Sequence, residues 1–267
     1  MSSKITVILN PAARGNRARL LKEKIEALYT IKSGEPDRRI SKACKNIVHA
    51  VFSLKPHGDA YAAISQWLSD TNPSLHVPVV PHMVRVDDTS ETLRKELNIP
   101  PEAVVFGRHG GFTTFNLKFA QEAVLEIAKE HPDWYFVFLN TQPFGAAPNV
   151  IFLPGTADMV YKTKFINTCD AMIHARQDGE TFGLACGEFS IKNKPVITWL
   201  GGSNAHIAIL GDKGFFYRDK QELISTILSC GNNIVDIRKS KWDMYSEQFC
   251  PKVVMEKFDK VFLQPCF

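Results

Sequence analysis

The chain has 267 residues, 32 Lys and Arg against 28 Asp and Glu, a net charge of +4 and 45% hydrophobic residues. It is long enough for a sizeable core in one or two domains. Its basic excess is too small and too interleaved with acids to indicate nucleic acid, and no apolar run approaches the ~18 residues of a spanning helix. The opening apolar run is too short for a secretory signal, and six scattered Cys lack metal-ligand spacing. Both features suit reduced thiols and a cytoplasmic protein.

In chain order, the first elements predicted are a strand at Ile5–Leu9, a basic amphipathic helix at Arg17–Leu28 and a turn at Lys32–Arg39. A strand at Ile47–Phe52, a helix at Tyr61–Leu68 and a strand at Val77–Val80 follow. A connector, Pro81–Asp88, leads to a short helix, Glu91–Leu97, capped by Thr89 or Ser90 and broken by Pro100-Pro101. The boundary between a first domain (1–85) and a second (86–267) is placed near residue 85.

The second half alternates regularly. Val104–Phe106 reads as a strand before a glycine-rich turn, Gly107-Arg108-His109-Gly110-Gly111, and Leu117–Lys129 as a helix stopped at His131-Pro132. Strands follow at Trp134–Leu139 and Val150–Leu153, a helix at Met159–Thr168, and a strand at Ala171–His174. Then come a helix at Phe182–Ile191, strands at Val196–Trp199 and Gly214–Tyr217, and a helix Glu222–Leu228 capped by Asp219. A terminal helix is expected within Trp242–Phe262, as part of the second domain. Apolar strands separated by helices imply a doubly wound parallel sheet, with ligands beyond the strands' carboxyl ends.

The richest segment is Asp178-Gly-Glu-Thr-Phe-Gly-Leu-Ala-Cys-Gly-Glu188. A turn opening into a helix leaves amide groups free for an anion, and two carboxylates eight positions apart can share a helix side. One molecule carrying sugar hydroxyls, a diphosphate and ribose hydroxyls, a nucleotide-sugar, has parts for all of these.

Here a resemblance becomes specific. Residues 54–230 resemble the retaining GT-B glycosyltransferases, the group called glycosyltransferase family four, in a viral and bacterial subset. The match rests on Val79-Val80-Pro81-His82-Met83, on Phe106-Gly107-Arg108, on Glu180 and Glu188 with seven residues between them, and on Pro195-Val196-Ile197. It implies a nucleotide-sugar-binding donor domain preceded by a small, truncated, Rossmann-like acceptor-side domain.

The resemblance further implies hexose transfer from a UDP- or GDP-sugar to an unidentified glycan, lipid or protein. Retention would proceed without metal, cofactor or protein nucleophile. Glu188 would hold the ribose diol, and Glu180 the donor sugar, with Thr181, Phe182, Gly183 and Leu184 lining sugar and diphosphate. Arg108, helped by Lys118, would neutralise the leaving diphosphate; Gly110 and Gly111 would let amides approach it. Arg176 falls near the nucleotide, Thr156 and Asp158 near the base. His57 would reach the cleft from the first domain, and His109 from the phosphate loop; His174 reads as a satisfied near-core residue.

The opening Asn10-Pro-Ala-Ala-Arg-Gly-Asn-Arg17 is similar to a diacylglycerol-kinase-like start, but the Gly-Gly-Asp-Gly segment such a kinase needs is missing. The short first domain keeps two alternatives open, a catalytically silent nucleotide-sugar-binding protein and a subunit completed by another chain. A homo-oligomer is one form of the latter.

Overall fold

The computed structural model describes residues 25–37 and 40–266. The Ile5–Leu9 strand, the Asn10–Arg17 motif and most of the Arg17–Leu28 helix lie outside them. Chain contacts define two compact units, one of Met1–Met83 with Pro251–Phe267, the other of Val84–Cys250.

The first unit holds a parallel sheet of β1 (Ala27–Lys32), β2 (Lys45–Ala50) and β3 (Ala60–Ala63), in that order. Ala27 and Leu28 are therefore strand rather than the end of a helix. Central β2 is buried from Asn46 to Ala50. At its end, His49 Nε2 donates to Val80 O (2.5 Å), which leaves Nδ1 to accept from Tyr29 Oη (2.6 Å). Burial favours this neutral ring and pushes the His49 pKa down to about 4.

The helix expected over Tyr61–Leu68 is instead β3 followed by α1 (Gln66–Asp70), whose first turn is capped by Ser65. Small residues let β3 lie flat on β2, and the cap moves the helix start to Gln66. Val77–Val80 forms only one bridge, Ala63 to Val79, because Pro78 and Pro81 supply no amide. Glu91–Leu97 is a set of turns. The terminal segment belongs with this first unit, in contrast to its expected place in the second domain. Phe258 and Phe262 pack edge-on against Tyr29, 5.1 and 5.8 Å between ring centroids.

The second unit is built on a parallel sheet of six strands. In chain order these are β4 (Val104–His109), β5 (Trp134–Leu139), β6 (Val150–Leu153), β7 (Ala171–His174), β9 (Val196–Trp199) and β11 (Gly214–Tyr217); in space they run β11-β9-β7-β4-β5-β6. A separate parallel pair joins β8 (Gly179–Glu180) to β10 (Ser203–Asn204). The helices that matter for the site are α2 (Lys118–Glu130), α3 (Met159–Thr168), α4 (Leu184–Ile191), α5 (Ala205–Leu210) and α6 (Lys220–Asn232).

Period-two alternation along β4 sorts its side chains between the two faces of the sheet. Phe106 joins Phe136, Phe138 and the buried stripe of α2, Ala120, Ala123, Val124 and Ile127, in one apolar cluster. On the other face, a Cβ at Gly107 would stand 2.1 Å from Cys169 Sγ. Gly107 is thus required by the close seat of α3 on the sheet, and β4 continues through His109 where a turn was expected.

At the amino-terminal end, Asp170 accepts from Val105 N (2.9 Å) and bridges Arg94 (3.2 Å) and Arg238 (2.8 Å). One buried carboxylate so ties three segments to the start of β4. No helix among the described residues is long and apolar enough to cross a membrane.

Candidate active site

The carboxyl ends of β4, β7 and β9 carry a concentration of charge in the second unit. Arg108, on β4, is 3% exposed. Its guanidinium donates to Thr141 Oγ1 (2.6 Å), Gly111 O (3.1 Å) and Thr114 Oγ1, and lies 5.9 Å over the Phe115 ring. Burial pulls its pKa down to about 10, opposed by the negative charge of Glu180 and assisted by the positive charge of Arg176.

Gly110 and Gly111 wrap this side chain: a Cβ at Gly110 would sit 2.7 Å from an Arg108 terminal nitrogen, and one at Gly111 2.9 Å from Thr114 Cγ2. Gly110 makes room for the arginine itself, and Gly111 for the Thr114 side chain that accepts from it. Lys118, expected as its partner, is an exposed residue in the first turn of α2.

Glu180 lies on β8, three residues before Gly183 begins the helix. The two glutamates therefore do not share one helix side, and the helical-spacing argument fails. Glu180 Oε1 is 3.3 Å from His174 Nε2 and from Arg176 NH1. Burial alone would raise its carboxyl; the bond and charge of His174, with Arg176 and His206, outweigh it and hold the carboxyl below its ordinary value. Arg176 Nε is buried with no hydrogen-bond partner among the described residues. Two arginines thus flank one carboxylate, and one of them keeps an unused buried donor.

Beneath Glu180 runs a chain of contacts. His174 Nδ1 and His206 Nε2 each lie 2.8 Å from Thr198 Oγ1. An ionised Glu180 makes His174 Nε2 a donor. Among the described residues His206 Nδ1 has no aligned hydrogen-bond partner, and the Glu180 backbone opposes the fall in its pKa. His206 is fully buried, which lowers its pKa to about 3, with further lowering from His174. Tyr217 Oη fixes the end of β7 by donating to His174 O (2.8 Å). His174 is near-core, as expected, but it also touches Glu180.

Gly183 stands at φ +86° before α4, and a Cβ there would lie 2.7 Å from His206 Cβ. It serves both the left-handed turn and this packing. No side chain caps the first turn of α4. Phe182 is buried against Phe249 at 5.1 Å between ring centroids, Thr181 is half-buried and Leu184 is 41% exposed.

Glu188 is in the second turn of α4, with different partners. Its Oε1 takes Lys162 Nζ at 2.6 Å, and Oε2 lies 3.0 Å from His109 Nε2 without hydrogen-bond alignment. Burial is again outweighed, by His109 and Lys162, so the carboxyl sits below its ordinary value. His109 stacks on Phe189, 5.7 Å between ring centroids. Arg108 and His109 alternate across the sheet, which sends the two glutamates to separate partner sets.

The other expected site residues have local roles. Thr156 accepts from Asp158 N (3.0 Å), and Asp158 caps α3. His57 belongs to the first unit, where Nδ1 lies 2.7 Å from Lys55 O and the ring is 5.6 Å from that of Tyr61. Its loop leads into β3, and Asp59 accepts from Asn46 N (2.6 Å). Lys162, Thr141, Thr198 and His206 were not anticipated. A threonine inside apolar Val196–Trp199 and a histidine inside Ala-His-Ile-Ala-Ile-Leu were the available signals.

No protein-family model and no curated protein sequence matches the chain. Solved structures do. A TarM variant from S. aureus, crystallised with fondaparinux, alpha-GlcNAc-glycerol and UDP, is 12% identical with a TM-score of 0.69 over 93% of this chain and 58% of its own. HepE from Anabaena, bound to UDP and glucose, gives 16%, 0.68, 93% and 81%. Sucrose-phosphate synthase from Thermosynechococcus elongatus gives 13%, 0.69, 93% and 75%. The chain spans under three-fifths of the TarM chains it matches, 58% and 57%. At these identities the likeness is one of fold: α/β with parallel sheets, matching structures of GT-B glycosyltransferases.

Proposed function

We propose that the protein transfers a hexose from a nucleotide-sugar to an acceptor, with retention of configuration. The observation that carries this reading is the Arg108–Glu180–Arg176 cluster at the carboxyl ends of β4 and β7, with Arg176 Nε buried and unpartnered. A diphosphate supplies the anion that two fixed cations beside one carboxylate lack. As the glycosidic bond breaks, charge collects on the leaving phosphate, and cations already in place lower that barrier. Glu180, kept ionised, accepts hydrogen bonds from sugar hydroxyls. The uncapped amides of α4 face the same chemistry. UDP-sugars come first, because TarM and HepE were solved with UDP.

Glu188 meets the ribose hydroxyls with Oε1 already held by Lys162 at 2.6 Å. That prior engagement supports a second reading, a protein that binds the donor without turning it over. Titrating UDP-glucose and GDP-mannose while following thermal unfolding tests binding; at about a hundredfold excess over Kd the native state gains ~2.7 kcal/mol. Release of free sugar from the bound donor then separates the two readings. No thermal shift with any nucleotide-sugar at millimolar concentration sinks both.

A further inference from the structure

The opposite end of the second unit's sheet holds a cavity of about 400 Å³, lined by Arg94, Pro101, Asp170, Lys192, Asn193, Lys194, Ile237 and Arg238. Its volume lies in the ~300–1,000 Å³ range of small-molecule pockets. Asp170 and Lys194 lie one and two residues before β7 and β9, whereas the cluster around Glu180 stands where those strands finish. The two places are separated by the length of the strands.

The charge of this cavity is unbalanced. Four cations surround one carboxylate, giving +3. That carboxylate is already saturated, by Arg94, Arg238 and the Val105 amide. Among the described residues Lys192 Nζ has only a neutral partner, Thr89 O at 3.2 Å. The Lys194 ammonium makes no hydrogen bond or ion pair among the described residues, and burial lowers its pKa despite the nearby charge of Asp170. An ammonium in a half-buried cavity whose one carboxylate is shared with two arginines costs free energy that a ligand with negative charge recovers. Pro101 and Ile237 add apolar wall.

A phosphate monoester carries about −1.5 to −2 charge and three acceptor oxygens, enough to meet two lysines together. We propose that the cavity binds a phosphate monoester between Lys192 and Lys194, at a second site distinct from the one at the strands' carboxyl ends. The phosphate comes either on a soluble small molecule or on a lipid headgroup.

The test is site-resolved acetylation of lysines in the full chain, read by peptide mass spectrometry. The arms are inorganic phosphate, phosphatidic acid vesicles in phosphatidylcholine, and potassium chloride of equal ionic strength. Soluble phosphate is expected to slow modification of Lys194 and Lys192 by about fivefold or more relative to chloride, as site occupancy near 80% requires. Protection by phosphatidic acid alone supports the same site with a lipid source. Protection in neither arm, or protection confined to Lys162, overturns the proposal. Calorimetry with Lys194→Gln supplies a second readout: a tenfold loss of phosphate affinity is expected, and unchanged affinity also overturns it.

Discussion

Lowering the pH from about 7.5 to about 5 should destabilise the second unit by about 2 kcal/mol through His206 alone. Its ring is fully buried and its pKa falls from an ordinary 6.5 to about 3. Above the ordinary value both folded and unfolded chains hold a neutral ring, and pH has no leverage. Below it the unfolded chain takes a proton that the folded chain refuses, so stability drops as pH falls, until the folded ring titrates near 3. The loss is ~1.4 kcal/mol per pH unit, and about 1.5 units separate 6.5 from the lower pH, which gives the figure above. Glu180 and Glu188, both held below an ordinary 4.5, lose their contribution only at still lower pH and leave this window clear. Urea unfolding read by tryptophan fluorescence is the assay, since Trp134, Trp199 and Trp242 lie in this unit. His206→Gln keeps a donor for Thr198 but cannot titrate, so its stability should depend less on pH by close to one proton. Identical pH slopes in the two proteins would falsify the neutral-ring account of His206.

Other substitutions probe the remaining contacts. Gly183→Ala places a methyl against His206 Cβ in a left-handed turn and should cost about 2–3 kcal/mol, measured by the same melts. Asp170→Asn strips a buried carboxylate from two arginines and should cost ~3 kcal/mol, with Asp170→Ala worse; a loss near zero would show that the bridge is not structural. Arg176→Gln should weaken UDP binding by tenfold or more, or ~1.4 kcal/mol, in calorimetry, with little change in the urea midpoint.

The second unit was legible because its strands are short and apolar throughout and its helices carry caps or stripes. Trp134–Leu139, Ala171–His174 and Val196–Trp199 have the expected bounds, and Asp219 caps the predicted helix by accepting from Glu222 N. The first unit misled for local reasons. Ala60-Tyr-Ala-Ala63 has the composition of a helix, yet its small side chains suit a strand laid against buried β2. The terminal aromatics were assigned to the wrong unit because a stripe of Phe258 and Phe262 says that something is covered, not what covers it.

The spacing of the two glutamates was read wrongly in geometry, and the reason is the left-handed turn at Gly183. Eight positions of uninterrupted helix would have set Glu180 and Glu188 one above the other; the turn detaches Glu180 and leaves only Glu188 on α4. Strand alternation completes the separation, giving Arg108 to one carboxylate and His109 to the other. A ligand that engages both meets Lys162 on Glu188 at 2.6 Å, while the pair of Glu180 with Arg176 is longer, at 3.3 Å. Lys162→Met removes that competitor. It should tighten UDP binding if ribose hydroxyls replace the lysine, since the ligand no longer has to break a 2.6 Å ion pair. Weaker binding of the variant would instead mean that Lys162 itself holds the nucleotide, and Glu188 would then be a support for the lysine.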